Sequence, residues 1–311
     1  MNNYADRLIN TINKKGNPCI VGLDPRIDQM PEFLIERYRN LSGSDKIVSV
    51  ITDFHKIVID VIAEKIPGVK PQVAFYEQYG LAGMKAFQNT IEYAKEKGLI
   101  TIVDAKRNDI GSTAEAYSNT FLGRSNIFGK MIPIYDVDCI TVSPFLGEDS
   151  LIPFIEDCIK YGKGIFVLVK TSNPGSGDIQ DLIMSNSNEA IFMRIAKLVK
   201  KLGKDVIGNN GYSSIGAVVG ATYPKEAEQL RELMDNNIFL VPGYGAQGAT
   251  GKDIVNCFNS DKLGAVVNAS RSITYNFGHR SISENEFVKS IERNVIEMIS
   301  DVNGALGVKN D

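Results

Sequence analysis

Histidine is nearly absent from this chain, with His55 and His279 the two examples in 311 residues. His55 sits among Ile51, Phe54, Val58 and Ile62 at helical spacing, and His279 follows Gly278 in a loop pattern, so both rings read as structural. A Ser-His-Asp hydrolase or a histidine-ligated metal centre would have to rely on one of these isolated rings. Cysteine is scarce too. Cys19, Cys139, Cys158 and Cys257 lie far apart, with no Cys-x-x-Cys spacing and no neighbouring histidine. They read as reduced, buried thiols rather than zinc ligands, and no metal site is expected.

An excess of positive charge is also missing. Thirty-four lysines and arginines against 37 acids leave a formal charge of −3, which argues against a nucleic-acid partner. No apolar run approaches the roughly 18 residues of a membrane span, and the start Met1-Asn2-Asn3-Tyr4 lacks the apolar core of a signal peptide. No membrane partner is expected, and the expected location is cytoplasmic. There is no internal repeat or low-complexity tract. A hydrophobic content of 43% with 23% charged residues is that of a globular protein and excludes large-scale disorder.

What the chain does have is a regular alternation of apolar runs and helical stripes. The strand-like runs are Cys19 to Asp24, Val69 to Phe75, Leu99 to Asp104, Val137 to Ser143, Ile165 to Lys170, Ile215 to Gly220, Ile238 to Val241 and Leu263 to Asn268. Between them, Ile47, Val50, Ile51, Phe54, Val58, Val61 and Ile62 form one helical stripe, and Leu81, Met84, Phe87, Ile91 and Ala94 form another before Gly98. Ser283 with Glu286 reads as a capping box that opens a helix burying Phe287, Ile291, Val295, Met298 and Ile299.

Eight strand–helix units favour an α/β fold of the (β/α)₈ TIM-barrel type, one domain over residues 1–311, rather than an open doubly wound sheet. The surplus falls in additional N-terminal helices near residues 27–66 and in a long loop after strand 5, near residues 172–214. That loop opens with turn formers from Ser172 to Asp178, which fits a mobile active-site loop and equally a solvated one. The tail 301–311 reads as frayed.

The third run ends Asp104-Ala105-Lys106-Arg107-Asn108-Asp109, and strand alternation puts Asp104 and Lys106 on one face with Asp109 on the loop beyond. In a barrel the C-terminal strand ends form the active face. A lysine between carboxylates stays protonated and becomes a positioned proton donor; an ordinary ion pair is the plain alternative. Lys70 joins this cluster if the second strand stops at Pro71, and is otherwise a surface lysine. A glycine-rich loop, Pro242-Gly243-Tyr244-Gly245-Ala246-Gln247-Gly248, follows the seventh run, and Asn268-Ala269-Ser270-Arg271-Ser272 ends the eighth. Barrels commonly bind phosphate there, through backbone amides, a helix N-terminus and a two-pronged arginine.

The segment from Asp104 to Thr113 resembles the Asp-x-Lys-x-x-Asp signature of the orotidine 5′-phosphate decarboxylase family. Gly22-Leu23-Asp24-Pro25-Arg26, Lys70-Pro71-Gln72, Thr171-Ser172-Asn173-Pro174-Gly175, the loop from Pro242 to Gly248 and Arg271-Ser272 resemble its other motifs in order. The resemblance spans roughly residues 17 to 275 and looks closest to the longer-chain bacterial branch. It implies removal of the C6 carboxylate of orotidine 5′-monophosphate to give uridine 5′-monophosphate, the last step of de novo pyrimidine synthesis, without metal or organic cofactor. Lys106 would protonate C6, with Asp104 beside the departing carboxylate and Lys70 and Asp109 completing a charged tetrad. Asp24, Lys70, Asp109 and Thr113 would contact the ribose and Ser172 the base. Gln247, with Gly248 beside it, would reach base and phosphate, and Arg271 the phosphate. The resemblance also implies a homodimer in which Asp109, Ile110 and Thr113 reach the neighbouring site.

Three other readings compete. A metal-dependent sugar-phosphate decarboxylase or aldolase can carry the same Asp-x-Lys-x-x-Asp pattern. A Schiff-base aldolase would use Lys70, Lys106 or Lys170 as nucleophile. A non-catalytic phosphoribosyl-ligand sensor would use only the glycine-rich loop and Arg271.

Overall fold

The computed structural model describes residues 3–308. Its centre is a closed barrel of eight parallel strands, β1 (Cys19–Leu23), β2 (Gly68–Pro71), β3 (Ile100–Arg107), β4 (Cys139–Val142), β5 (Gly164–Lys170), β6 (Ser213–Val219), β7 (Asn237–Val241) and β8 (Ala265–Ala269). Each strand pairs with the next, and β8 closes on β1 with Ile20 opposite Asn268. The expected TIM barrel is the observed fold, a single domain.

Both faces of such a sheet are covered, which explains why its strands read as continuous apolar runs. One face packs on the surrounding helices through Cys19, Val21, Val69, Val103, Ile140 and Val267. The other fills the barrel with Ile20, Ile100, Ile102, Phe166, Val218, Leu240 and Val266. A helix not anticipated from the sequence, Tyr4–Lys15, contributes Tyr4, Ala5, Leu8, Ile9 and Ile12 to that inner cluster, and the Tyr4 ring meets Phe166 edge-on at 6.2 Å.

The additional N-terminal helices are Glu32–Arg37 and Gly43–Ile62, and the latter buries Val50, Ile51, Phe54, Val58 and Ile62 as its stripe requires. The second stripe is corrected at one position. Leu81 is 91% exposed, because it lies in the first turn of the helix Gly80–Glu96, before that helix settles on the barrel at Phe87, Ile91 and Ala94. β2 stops at Pro71, short of the expected Phe75, and a one-turn helix, Ala74–Glu77, follows. The polar stretch after β5 folds into a short helix, a small hairpin and the helix Ile191–Gly203. A second hairpin, Ser125–Ile127 with Lys130–Ile132, was not foreseen.

The frayed-tail expectation is overturned for most of its length. The helix that opens with the Ser283–Glu286 capping box runs to Leu306, burying Val302, Asn303 and Leu306, and ends at Gly307 in the left-handed conformation. Residues 309–311 lie outside the described residues. No helix of the described chain is long and apolar enough to cross a membrane.

All four cysteines are buried and free, and His55 is a core residue bonded to Tyr76 Oη at 3.0 Å and Thr90 Oγ1 at 3.3 Å. Burial pushes its imidazole down to about 3 from 6.5, so the fold holds it neutral. Its contribution to stability is therefore complete above pH 6.5 and is lost as the pH falls toward 3. Between pH 6.5 and pH 5 the wild type should lose about 2 kcal/mol more unfolding free energy than a His55→Gln variant. Urea titrations of both proteins at the two pH values check this; parallel losses would contradict it.

Candidate active site

The barrel opens at the C-terminal strand ends into a cavity of about 720 Å³. Asp24, Lys70, Asp104, Lys106, Ser172, Gln247 and Arg271 all line it, although they come from six different strand ends. The exposed ring of His279 bonds Ser281 and lies outside this lining.

At its base, Asp104 is 9% exposed and bridges two amines, Lys70 Nζ at 2.9 Å from Oδ2 and Lys106 Nζ at 2.5 Å from Oδ1. Gln72 Nε2 and Thr141 Oγ1 donate to the same carboxylate, each at 2.9 Å. Burial alone would favour the neutral acid, but the ammonium groups of Lys70 and Lys106 hold Asp104 well below the usual carboxylate range. Burial likewise works against the charge on Lys70, and attraction to Asp104, with Asp24 beyond it, more than offsets this and raises its pKa. The Lys70 ammonium and the Asp104 carboxylate are thus held charged inside the cavity, with the Lys106 amine in contact with that carboxylate.

Asp104 and Lys106 meet, but not through regular alternation. The β3–β4 ladder shifts register between Val103 and Arg107, and Lys106 has φ 49°, in the left-handed region. For a residue with a side chain this costs about 1–3 kcal/mol, and the bulge re-aims the amine.

Asp24 is held from the neighbouring strand. Ser270 Oγ donates to its Oδ2 at 2.7 Å, and Gly22 makes room, since a Cβ there would lie 1.8 Å from that hydroxyl. Next to β8, Gly243, Gly245 and Gly248 all have positive φ, which turns the chain sharply after β7. Tyr244 Oη and Gly251 N both donate to Asp301 Oδ2, at 2.8 and 2.7 Å, so the C-terminal helix braces this loop. Arg271 is exposed at the start of the short helix Arg271–Thr274 and has no carboxylate partner among the described residues.

The loop after β5 is tied to the barrel. Thr222 Oγ1 donates to Ser172 O at 3.0 Å, and Thr171 N donates to Gln180 Oε1 at 2.9 Å. Lys170 lies beneath it, fully buried, paired with Asp181 at 2.6 Å and 4.3 Å from the Tyr223 ring centroid. As a candidate Schiff-base nucleophile it is therefore corrected: its amine is engaged below the loop and does not line the cavity.

Asp109, Ile110, Thr113 and Gly248 do not line this chain's cavity. Among the described residues Asp109 accepts from the adjacent Ile110 N, and Ile110 is 57% exposed. Of the expected tetrad, Lys70, Asp104 and Lys106 form one contact network without Asp109. Sequence reasoning passed over Thr141, which sits in an ordinary apolar strand, and gave no role to Gln72, Asn268, Ser270 or Arg26, although all four stood inside quoted motifs. Arg26 lines the cavity with its guanidinium 4.4 Å from the Phe75 ring centroid.

The chain is similar to known proteins over nearly its whole length. Residues 18–281 match the Orotidine 5′-phosphate decarboxylase / HUMPS family. Orotidine 5′-phosphate decarboxylase of Caldicellulosiruptor bescii is 41% identical over 305 residues, covering 96% of this chain and 99% of that protein. The enzyme of the same name from Rhodopirellula baltica is 45% identical over 275 residues, covering 88% and 89%. The OMP decarboxylase structure from Leishmania donovani superimposes with a TM-score of 0.73 at 26% identity, covering 98% and 99% of the two chains. The chain belongs to the orotidine 5′-phosphate decarboxylase family.

Proposed function

We propose that this protein decarboxylates orotidine 5′-monophosphate to uridine 5′-monophosphate and CO₂, with Lys106 stabilising and then protonating the C6 carbanion. The observation that carries the reading is Asp104 bridging Lys70 and Lys106 at the base of the cavity. Loss of CO₂ leaves an electron pair on an sp² carbon with no adjacent sink, so a fixed cation has to stabilise it. Two unit charges about 4 Å apart interact by about 4 kcal/mol at an effective dielectric near 20, whereas enzymes lower barriers by about 8–23 kcal/mol. One ion pair cannot supply the whole effect. Repulsion between Asp104 and the bound carboxylate adds ground-state destabilisation, and binding of the distant phosphate by Gln247 and Arg271 supplies the energy that assembles the charges. Asp24 and Lys70 hold the ribose and Ser172 the base.

The test is the absorbance change on adding orotidine 5′-monophosphate to chelator-treated protein. Turnover supports the reading; activity lost with the metal and restored by it favours a metal-dependent sugar-phosphate enzyme instead. Tight uridine 5′-monophosphate binding without turnover would favour a sensor.

The second element of the proposal is a homodimer in which Asp109, Ile110 and Thr113 complete the partner's site. Leu81, Ile110, Phe145 and Leu146, 91%, 57%, 82% and 47% exposed, follow the adjacent strands β2, β3 and β4 at the same barrel end, an apolar rim suited to a second copy. Mixing inactive Lys106→Ala and Asp109→Ala proteins, with subunits allowed to exchange, should restore about a quarter of wild-type activity. Half the dimers are then mixed, and each mixed dimer has one intact site of two. No recovery after verified exchange would refute the shared site.

A further inference from the structure

We infer that Thr141 is a positioning residue for the reaction: its single hydroxyl locks the Asp104 carboxylate to the backbone turn that aims Lys106. The inference rests on the reading of Lys106 and Asp104 given above.

Thr141 is buried in β4, next to β3 and 1% exposed. Its Oγ1 donates to Asp104 Oδ1 at 2.9 Å and accepts from two successive amides, Ala105 N and Lys106 N, both at 3.0 Å. One donor and two lone pairs are the full capacity of a hydroxyl, and all three are used. The accepted amides fall where β3 leaves register with β4 and Lys106 turns to φ 49°. Regular pairing cannot satisfy these N–H groups at such a point, so the hydroxyl takes the place of a ladder acceptor. The same oxygen therefore fixes the backbone of Lys106 and the carboxylate that its amine contacts at 2.5 Å. Gln72 secures the other carboxylate oxygen beside Lys70 and pairs with Asp104 across the strands, but its side chain donates to that carboxylate and not to the turn at Ala105 and Lys106. Thr141 couples the two charged groups; it stands in the cavity lining, but its hydroxyl has no hydrogen-bonding capacity left for ribose, base or phosphate.

A residue of this kind should act on the chemical step more than on binding. Thr141→Val keeps the volume and removes the hydroxyl. It should lower kcat by about 10²-fold, the order expected for misplacing a reacting group by about an ångström, with KM within about threefold of wild type. Thr141→Ser restores the hydroxyl and should return kcat to within about threefold of wild type. Uridine 5′-monophosphate affinity, measured by calorimetry, should be unchanged in both variants. If Thr141→Val does not fold, the same kcat comparison in Thr141→Cys decides. Wild-type kcat in the hydroxyl-less variant overturns the inference, as does a serine variant as slow as the valine one or a loss carried entirely by KM. Lys106→Ala, assayed alongside, separates the two levels. If it turns over normally, the underlying reading fails; if it is inactive while Thr141→Val is normal, only the role of Thr141 fails.

Discussion

Replacing Lys106 with alanine should lower kcat by about 10⁴-fold or more, because the amine is asked both to stabilise the carbanion and to protonate it. The fold should tolerate the change. The Lys106 side chain is 47% exposed, and its loss leaves Asp104 with Lys70, Gln72 and Thr141 as partners. Asp104 is a poorer position for the same test, since its removal leaves Lys70, whose side chain is only 6% exposed, with the more distant Asp24 in place of its bonded counter-charge. Steady-state rates, read together with the thermal midpoint, decide the matter. A folded Lys106→Ala protein that turns over at the wild-type rate rejects the assigned proton donor. A protein that binds uridine 5′-monophosphate as the parent does but fails to release CO₂ supports it.

The split between what was readable in the sequence and what was not follows the range of the interactions. The eight strands and the helix cap at Ser283 declare themselves because apolar periodicity and capping are local. Asp104 and Lys106 were legible for the same reason, two charges in one short segment at a strand end. Thr141 was not. It acts across a strand pair, 37 positions beyond Asp104, and nothing in Cys139–Val142 separates it from any other threonine in a barrel strand. The route by which Asp104 and Lys106 meet was also hidden, because alternation assumes a regular strand and β3 is bulged there. The tail was misjudged because chain ends fray unless they are tied down, and this one is tied down by the burial of Val302 and Leu306 and by contacts of Asp301 with Tyr244 and Gly251.

Arg271→Ala should leave the fold intact and lower kcat/KM by about 10²- to 10⁴-fold, the loss of two charge-assisted hydrogen bonds of about 1.5–3 kcal/mol each. Arg271 is exposed and has no carboxylate partner among the described residues, so removing it strands no buried charge. Its place at a helix start, beside the glycine turns at Gly243, Gly245 and Gly248, suits a phosphate dianion. The charged network around Asp104 sits on β2 to β4, away from β8, so on the phosphate reading an effect on kcat passes through the substrate. Orotidine, which lacks the phosphate, makes the distinction. Wild-type and variant proteins should handle orotidine alike, because Arg271 then has nothing to grip. An equal loss on both substrates would show that Arg271 supports the cavity itself, and the phosphate would have to be held by other groups.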